Sequence, residues 1–346
     1  MADLLFQYLL FAAKIITVLV AVIIIIGFVA NTVASKTKET HFLTVDNINH
    51  EFEELTETLE RAVYDKKELK ALDKKRKKEE KKKKKEKEEH EPLRLYVIRF
   101  QGDMEASETD NLAECVTAIL GFAKSDDEVL IIIESSGGIV HNYGFAASQL
   151  QRIKSRGLKL TTAVDLVAAS GGYMMACIAD KIIASPFAVL GSIGVVAQIP
   201  NFHKLLTKHD IDIEHHTAGK YKTTLTMLGE NTQDGREKFR EELEEVHVLF
   251  KEHVRSSRPQ LNIEEVATGK AWYGHQCLEL KLIDKIQTSD DYLLERKDSH
   301  EIYELYIEQN ESIKDKISTL LSKETLFKLV NNAWLKLHQS PKVGNL

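Results

Sequence analysis

The stretch DLVAASGGYMMACIAD, Asp165–Asp180, decides how the rest of the chain is read. A strand-like run gives way here to a helix that starts from about Ser170. At the junction stands one hydroxyl, Ser170, behind two alanines and in front of Gly171 and Gly172. Small neighbours serve close backbone packing, and a serine at a helix start also serves as an N-cap. The same pattern fits a small-x-Ser-x-Gly elbow, with Ala168 and Gly172 as the small residues and Ser170 as an accessible nucleophile.

Working outward, short branched runs recur at LRLYVIRFQGDM (93–104), DEVLIIIESSGG (127–138), KLTTAVD (159–165) and KIIAS (181–185). Helical spacing lies between them. Leu112, Cys115, Val116, Ile119 and Leu120 repeat through 110–124, and 141–155 reads the same way. Alternation at this interval predicts an α/β domain with a parallel sheet and right-handed crossovers. The uncharged run 182–199 has the hydropathy of a membrane span, but Pro186, Gly191 and Gly194 break it into buried strands and turns. Beyond Asp234, REKFREELEEVHVLFKEHVRSSRP (236–259) reads as a helix ended near Ser256–Pro259, followed by helix, turn, helix and a short strand to Ile286.

A second glycine turn, SSGG at 135–138, ends another buried strand. Amide groups freed at such a turn can hold an oxyanion. It precedes Ser170 by about one βα unit, so the two turns can lie side by side. A serine nucleophile needs a base. No histidine follows within SIGVVAQIP (192–200), and His203, His209, His215 and His216 have no spacing that favours one of them. A lysine serves only as a neutral amine, which requires burial or nearby cations. HTAGKYKTTLTMLGENT (216–232) supplies Lys220 and Lys222, and spacing does not choose between them.

The N-terminus has a different character. Residues 8–30, YLLFAAKIITVLVAVIIIIGFVA, carry Lys14 as their single charge. As a helix this run is roughly 35 Å long, enough to cross a bilayer. Its length after Lys14 and the poor cleavage site at TVAS favour an anchor in membrane lipid over a cleaved signal peptide. Residues 36–92 follow as a charged, helix-forming spacer. Leu55, Leu59, Val63 and Leu69 form a weak apolar stripe, and the later Lys/Glu block has no apolar face and is helical at most in part. Glutamates interleave its lysines, so no nucleic acid partner is expected. The net charge of −6 hides this segregation. Three widely spaced cysteines, Cys115, Cys177 and Cys277, suggest neither a disulfide framework nor a metal site.

Several motifs occur together: SSGG, AASGGYMMACIAD, GSIGV, GKYK and ATGKAWYGHQCLELKLID. In that combination the chain resembles the signal peptide peptidase A family over residues 93–290, with the anchor and charged region also similar to its short members. The resemblance implies a ClpP/crotonase-type fold and a serine–lysine protease without cofactor or metal. It implies Ser170 as nucleophile, Lys222 as general base, Ser192 orienting that lysine, and the amides of Gly137 and Gly171 as the oxyanion hole. It also implies a bacterial inner-membrane protein with a periplasmic catalytic domain, where the acidic N-terminus read alone favours a cytoplasmic one, acting on extended, apolar peptides such as signal-peptide remnants or membrane-protein fragments. The full-length family enzyme carries two copies of the fold and this chain carries one. A ring-like homo-oligomer is therefore implied, with the serine and lysine of one site supplied by neighbouring subunits. Two departures from the family pattern are visible: Ser136 where proline is frequent, and Lys281 where glycine is usual.

The expected organisation is then an anchor (1–35), a charged spacer (36–92), the protease domain (93–290) and a helical extension (291–346). Two other function classes compete. A crotonase-like acyl-CoA enzyme would share the paired-amide hole but use a carboxylate, for which Glu134 is the nearest candidate. A non-catalytic membrane scaffold would keep the fold and lose the chemistry.

Overall fold

The computed structural model describes residues 41–89 and 92–309, with a few positions between 6 and 17. Apart from those positions, the expected anchor over 8–30 lies outside the described residues, as does the extension beyond 309. Among the described residues no helix is long and apolar enough to cross a membrane. The chain divides into two units, Met1–Phe42 with Ile307–Leu346, and Leu43–Tyr306; the second holds the motifs.

The described chain runs from β1 (His41–Asn47) through α1 (Ile48–Val63) and α2 (Lys66–Glu89). The Asn47 side chain caps α1 by accepting from the His50 amide at 3.1 Å. The spacer is more helical than its composition suggests: Arg76 of α2 pairs with Glu57 at 3.2 Å and Glu60 at 2.8 Å on α1. Of the expected apolar stripe, Leu55, Leu59 and Val63 remain exposed and Leu69 is half-buried.

The α/β body follows as β2 (Leu93–Gly102), α3 (Thr109–Phe122), β3 (Glu128–Ser135), α4 (Val140–Ser155), β4 (Lys159–Val164), β5 (Val167–Ala169) and α5 (Gly171–Ala176). It continues with β6 (Lys181–Ala184), β7 (Val189–Gly191), α6 (His203–Lys208), α7 (Gln233–Ser257), α8 (Ile263–Val266) and β8 (Ala271–Tyr273). It closes with α9 (Gly274–Glu279), β9 (Lys285–Ile286), α10 (Ser289–Arg296) and β10 (His300–Gln309).

The main sheet has the order β1-β10-β2-β3-β4-β6-β9, and β10, β2, β3, β4, β6 and β9 pair in parallel. Its strands read as unbroken apolar runs because both faces are covered. Leu95, Val97, Leu130 and Ile132 pack on one face with Ile48, Tyr292 and Leu293. Their alternating neighbours Tyr96, Ile98, Val129 and Ile131 are buried too. The mixed α/β architecture agrees with the sequence reading, and the run 182–199 supplies β6 and β7 within the core, but its last part is not buried as expected: 196–199 are exposed, because no strand pairs beyond Gly191. His300–Gln309, which falls in the expected extension, joins the sheet beside β2.

The feature that positions the site is a branch off this sheet. β3 also pairs with β5, β5 pairs with β7, and β7 pairs antiparallel with β8. Three parallel strands thus end side by side, in the register Ser135, Ala168, Leu190. Crevices beyond the carboxyl ends of parallel strands are where α/β folds present their chemistry.

Candidate active site

Ser170 follows β5 and serves as the cap residue of α5. Its backbone has φ 52° and ψ −117°, a region that an L-residue occupies only when the surroundings enforce it. Two contacts enforce it. The Ser170 amide donates to Gly191 O at 2.8 Å, and Met174 N donates back to Ser170 O at 2.9 Å. The hydroxyl-bearing residue is therefore held at a sharp strand-to-helix corner, partly open to solvent.

Gly137 lies directly against this corner. With φ +87°, it occupies a conformation suited to glycine. A methyl group on its Cα would fall 2.6 Å from Gly171 N and 2.7 Å from Ser170 Cβ. The SSGG turn and the Ser170 turn, thirty-odd residues apart in sequence, are thus in van der Waals contact. Gly171 begins α5, so its amide is one of the N–H groups left without an intrahelical acceptor. The Gly137 amide donates to Ser135 Oγ at 3.0 Å.

Ser192 follows β7, where Gly191 is in register with Ala169, so it sits one strand over from Ser170. It too has positive φ, 51°. Its partners come from the GKAW motif: Ser192 N donates to Lys270 O at 2.8 Å, and Ser192 Oγ to Gly269 O at 3.3 Å. Gly269 N returns a bond to Ile193 O at 3.0 Å. The role of Gly269 and Lys270 as the backbone floor under Ser192 was not legible in the sequence, because it depends on a strand pairing between distant segments.

Lys222 is placed differently. It is exposed, on a turn closed by Lys222 N donating to Gly219 O at 3.2 Å, and no hydrogen bond joins it to Ser170 or Ser192. The segment around it is tied elsewhere: Asn201 Nδ2 donates to Thr226 O at 2.9 Å, and Thr224 Oγ1 reaches Glu242 on α7 at 3.4 Å. Lys220 has its ammonium over the Tyr221 ring, 4.8 Å from the centroid. The hydrogen bond and charge of Tyr221, with Asp234, raise its pKa, the wrong direction for a base.

The structure therefore brings together Ser170, Ser192, Gly137 and Gly171, and holds Lys222 apart from them within one chain. Other candidates fare worse. His209, His215 and His216 are exposed, His215 against Thr223 and His216 against Glu214. Glu134 alternates away from buried Ser135 and faces solvent. Burial pushes the Cys115 thiol up to about 11, and those of Cys177 and Cys277 up to about 12, so none is a thiolate nucleophile at neutral pH. Among the described residues no cluster of His, Cys, Asp or Glu is arranged to hold a metal.

Comparison with known proteins identifies the family. Residues 3–150 match the model of the peptidase family S49 N-terminal region, and residues 152–302 match that of peptidase family S49. The chain is 51% identical over 304 residues to a probable protease SohB of Haemophilus influenzae, covering 85% of this chain and 86% of that protein. It is 47% identical over 305 residues to a probable protease SohB of Buchnera aphidicola subsp. Schlechtendalia chinensis, covering 85% of this chain and all of that one. A solved membrane-bound stomatin-specific protease shows a remote likeness, with TM-score 0.40 and 13% identity over 60% of this chain and 86% of its own. With both halves of the α/β body matched and half of the residues shared with a near full-length relative, the chain belongs to peptidase family S49 and is a serine protease.

Proposed function

We propose that this protein is a membrane-anchored endopeptidase working through a Ser170–Lys222 dyad. The observation that carries the reading is the Ser170 corner: a serine at φ 52°, with Gly137 and the Gly171 amide packed against it. Ser170 Oγ attacks the substrate carbonyl and passes its proton to neutral Lys222. The tetrahedral oxyanion is held by the amides of Gly137 and Gly171. Lys222 returns the proton to the leaving amine, and the C–N bond breaks to give an ester on Ser170. Water then adds, gives its proton to Lys222, and the acid product leaves as Ser170 Oγ is reprotonated. Ser192 orients the lysine once its hydroxyl turns from Gly269 O.

A lysine base must be sheltered from water, and Lys222 is exposed in the single chain. Apolar side chains are exposed on the same segment and just before it: Val196 is 91% exposed, and Leu205, Ile211, Met227 and Leu228 are also on the surface. These observations support a ring-like homo-oligomer in which a neighbour covers the site and exchanges lysines with it, on a ClpP/crotonase-type fold. Residues 1–35 then anchor the ring in the bacterial inner membrane, 36–92 lead away from the lipid, 93–290 carry the chemistry on the periplasmic side with 291–309 completing their sheet, and the remainder of 291–346 extends the assembly. Extended, apolar peptides, such as signal-peptide remnants or membrane-protein fragments, are the substrate class.

The test is peptide hydrolysis by the detergent-purified chain, comparing wild type with Ser170→Ala and Lys222→Ala from about pH 6 to about pH 10. Both variants are expected to be inactive, and the wild-type rate to climb with pH through one ionisation. Activity retained by Lys222→Ala at neutral pH would remove the dyad.

A further inference from the structure

Behind the SSGG turn runs a line of hydrogen bonds through two buried hydroxyls. Gly137 N–H donates to Ser135 Oγ at 3.0 Å, Ser135 Oγ lies 2.5 Å from Tyr143 Oη, and Tyr143 Oη donates to the carbonyl of Asp103 at 2.6 Å. The proton positions follow from counting. A carbonyl has no proton to give, so the single tyrosine proton is spent on Asp103 O. Ser135 must then donate to Tyr143, which leaves Ser135 Oγ as the acceptor for the Gly137 amide. Each hydroxyl in the line gives one proton and receives one. Ser135 and Tyr143 are 2% and 0% exposed, so water cannot take either place.

The same tyrosine also touches the other half of the site. A methyl group on Gly171 would collide with Cγ of the Tyr143 ring, so the ring is the wall against which that glycine packs. One on Gly102 would fall 2.5 Å from Tyr143 Oη and 2.6 Å from Ser135 Oγ, so β2 closes the line from below. One side chain on α4 thus bears on both amides assigned to the oxyanion hole, by its ring on Gly171 and through Ser135 on Gly137.

We propose that Ser135 and Tyr143 are positioning residues that hold the Gly137 amide in place for oxyanion binding. This rests on the reading of Ser170 as nucleophile with Gly137 and Gly171 as donors. The physical need is plain. Gly137 is followed by Gly138, and a pair of glycines leaves the intervening peptides free to rotate. Donors stabilise a transition state only to the extent that they are already oriented when charge develops. An amide hydrogen can be shared between two acceptors. The Gly137 N–H can therefore turn its stronger bond to the oxyanion while Ser135 Oγ keeps the peptide from swinging away.

The test uses the full-length protein in detergent and a peptide substrate that the wild type cleaves. Tyr143→Phe keeps the ring against Gly171 and removes the hydroxyl; Ser135→Ala removes the acceptor itself. Each is expected to lower kcat by about 10- to 100-fold, less than or up to the loss of one oxyanion donor, with KM within about twofold. Affinity for a peptidyl boronic acid, which forms a tetrahedral adduct on the serine, is expected to fall in parallel, with binding of an uncleavable substrate peptide unchanged. The double variant should be no worse than Ser135→Ala alone, because both act through one bond. Thermal midpoints measured alongside separate misfolding from misplacement. If a variant melts early, kcat is read below its transition. Wild-type kcat and boronate affinity in both folded variants would overturn the proposal, as would additive losses that appear in KM. Activity surviving in Ser170→Ala would instead overturn the nucleophile assignment, so the two failures are distinguishable.

Discussion

Two regions of this molecule are built in opposite ways. The cluster around Ser170 is assembled from the ends of three parallel strands, its residues buried or half-buried and its turns in mutual contact. The segment from 195 to 232 has one short helix, α6, and most of its side chains face solvent, Lys222 among them. The proposed nucleophile and oxyanion donors are thus preorganised by the core of one chain, and the proposed base rides on a surface segment. The contrast teaches where each half of the chemistry is controlled: the first by folding, the second by whatever covers the segment.

The strongest way to break that contrast is subunit mixing. Ser170→Ala and Lys222→Ala chains, each inactive alone, are co-assembled in equal amounts. If serine and lysine come from neighbouring subunits, random assembly restores about a quarter of the sites, and of the wild-type rate, from a background near zero. A mixture as inactive as its components would place both residues of each site in one chain.

The rigid half can be probed next. Gly137→Ala puts a methyl group against Ser170 Cβ and Gly171 N and forces an L-residue to φ near +87°. Activity is expected to fall by about 10²-fold or more, with a clear drop in the thermal midpoint. The matching change on the open half, Gly219→Ala, meets no neighbouring atom within 4 Å and bears only the backbone cost of φ +100°. Its thermal midpoint should move less.

A smaller effect concerns the fold beneath the site. Burial raises the pKa of Glu128, but the hydrogen bond and charge of Arg296, with His300 and Lys159, outweigh it and hold the carboxyl below its usual value. A depressed carboxyl stabilises the fold above the unfolded value of about 4.3, and that contribution disappears as pH falls through the folded value. Urea midpoints should place Glu128→Gln below wild type at neutral pH, with the gap closing in acid. A gap that is constant with pH would mean that packing, not charge, is responsible.

The smallest expected change is a gain. Lys281 follows α9 with φ 62°, and Leu282 N donates to Cys277 O at 2.8 Å as Lys281 N donates to Leu278 O at 3.1 Å. Those are the paired hydrogen bonds of a Schellman cap, whose left-handed position glycine occupies at no steric cost. Lys281→Gly is expected to stabilise the protein by about 1 kcal/mol in denaturant unfolding without altering activity. The departure noticed in the sequence therefore falls on a helix end and leaves the backbone shape unchanged.

Much of this organisation is legible from residue order alone. Branched runs at 93–104 and 127–138 read as strands buried on both faces, and the turn chemistry of SSGG and AASGG marks where they end. Those signals are local: period, branching and glycine act within a few residues, so the string carries them. The lysine-rich spacer was underestimated, because its helix gains ion pairs from Arg76 to Glu57 and Glu60 that its own composition does not reveal. The choice between Lys220 and Lys222 was open to spacing and came from family resemblance.

By itself, then, the sequence determined an alternating α/β body, two glycine turns around a candidate serine, an apolar run at the start and membership of a protease family. The tertiary structure alone decided that Gly137 presses on Ser170, that Gly269 and Lys270 support Ser192, that Tyr143 reaches both Ser135 and Gly171, and that Lys222 stands exposed and apart. These are contacts between segments separated by tens of residues, created when parallel strands align their ends. Nothing in a linear pattern encodes which side chain meets which across such a junction, because the register that brings them together is set by packing of the whole sheet.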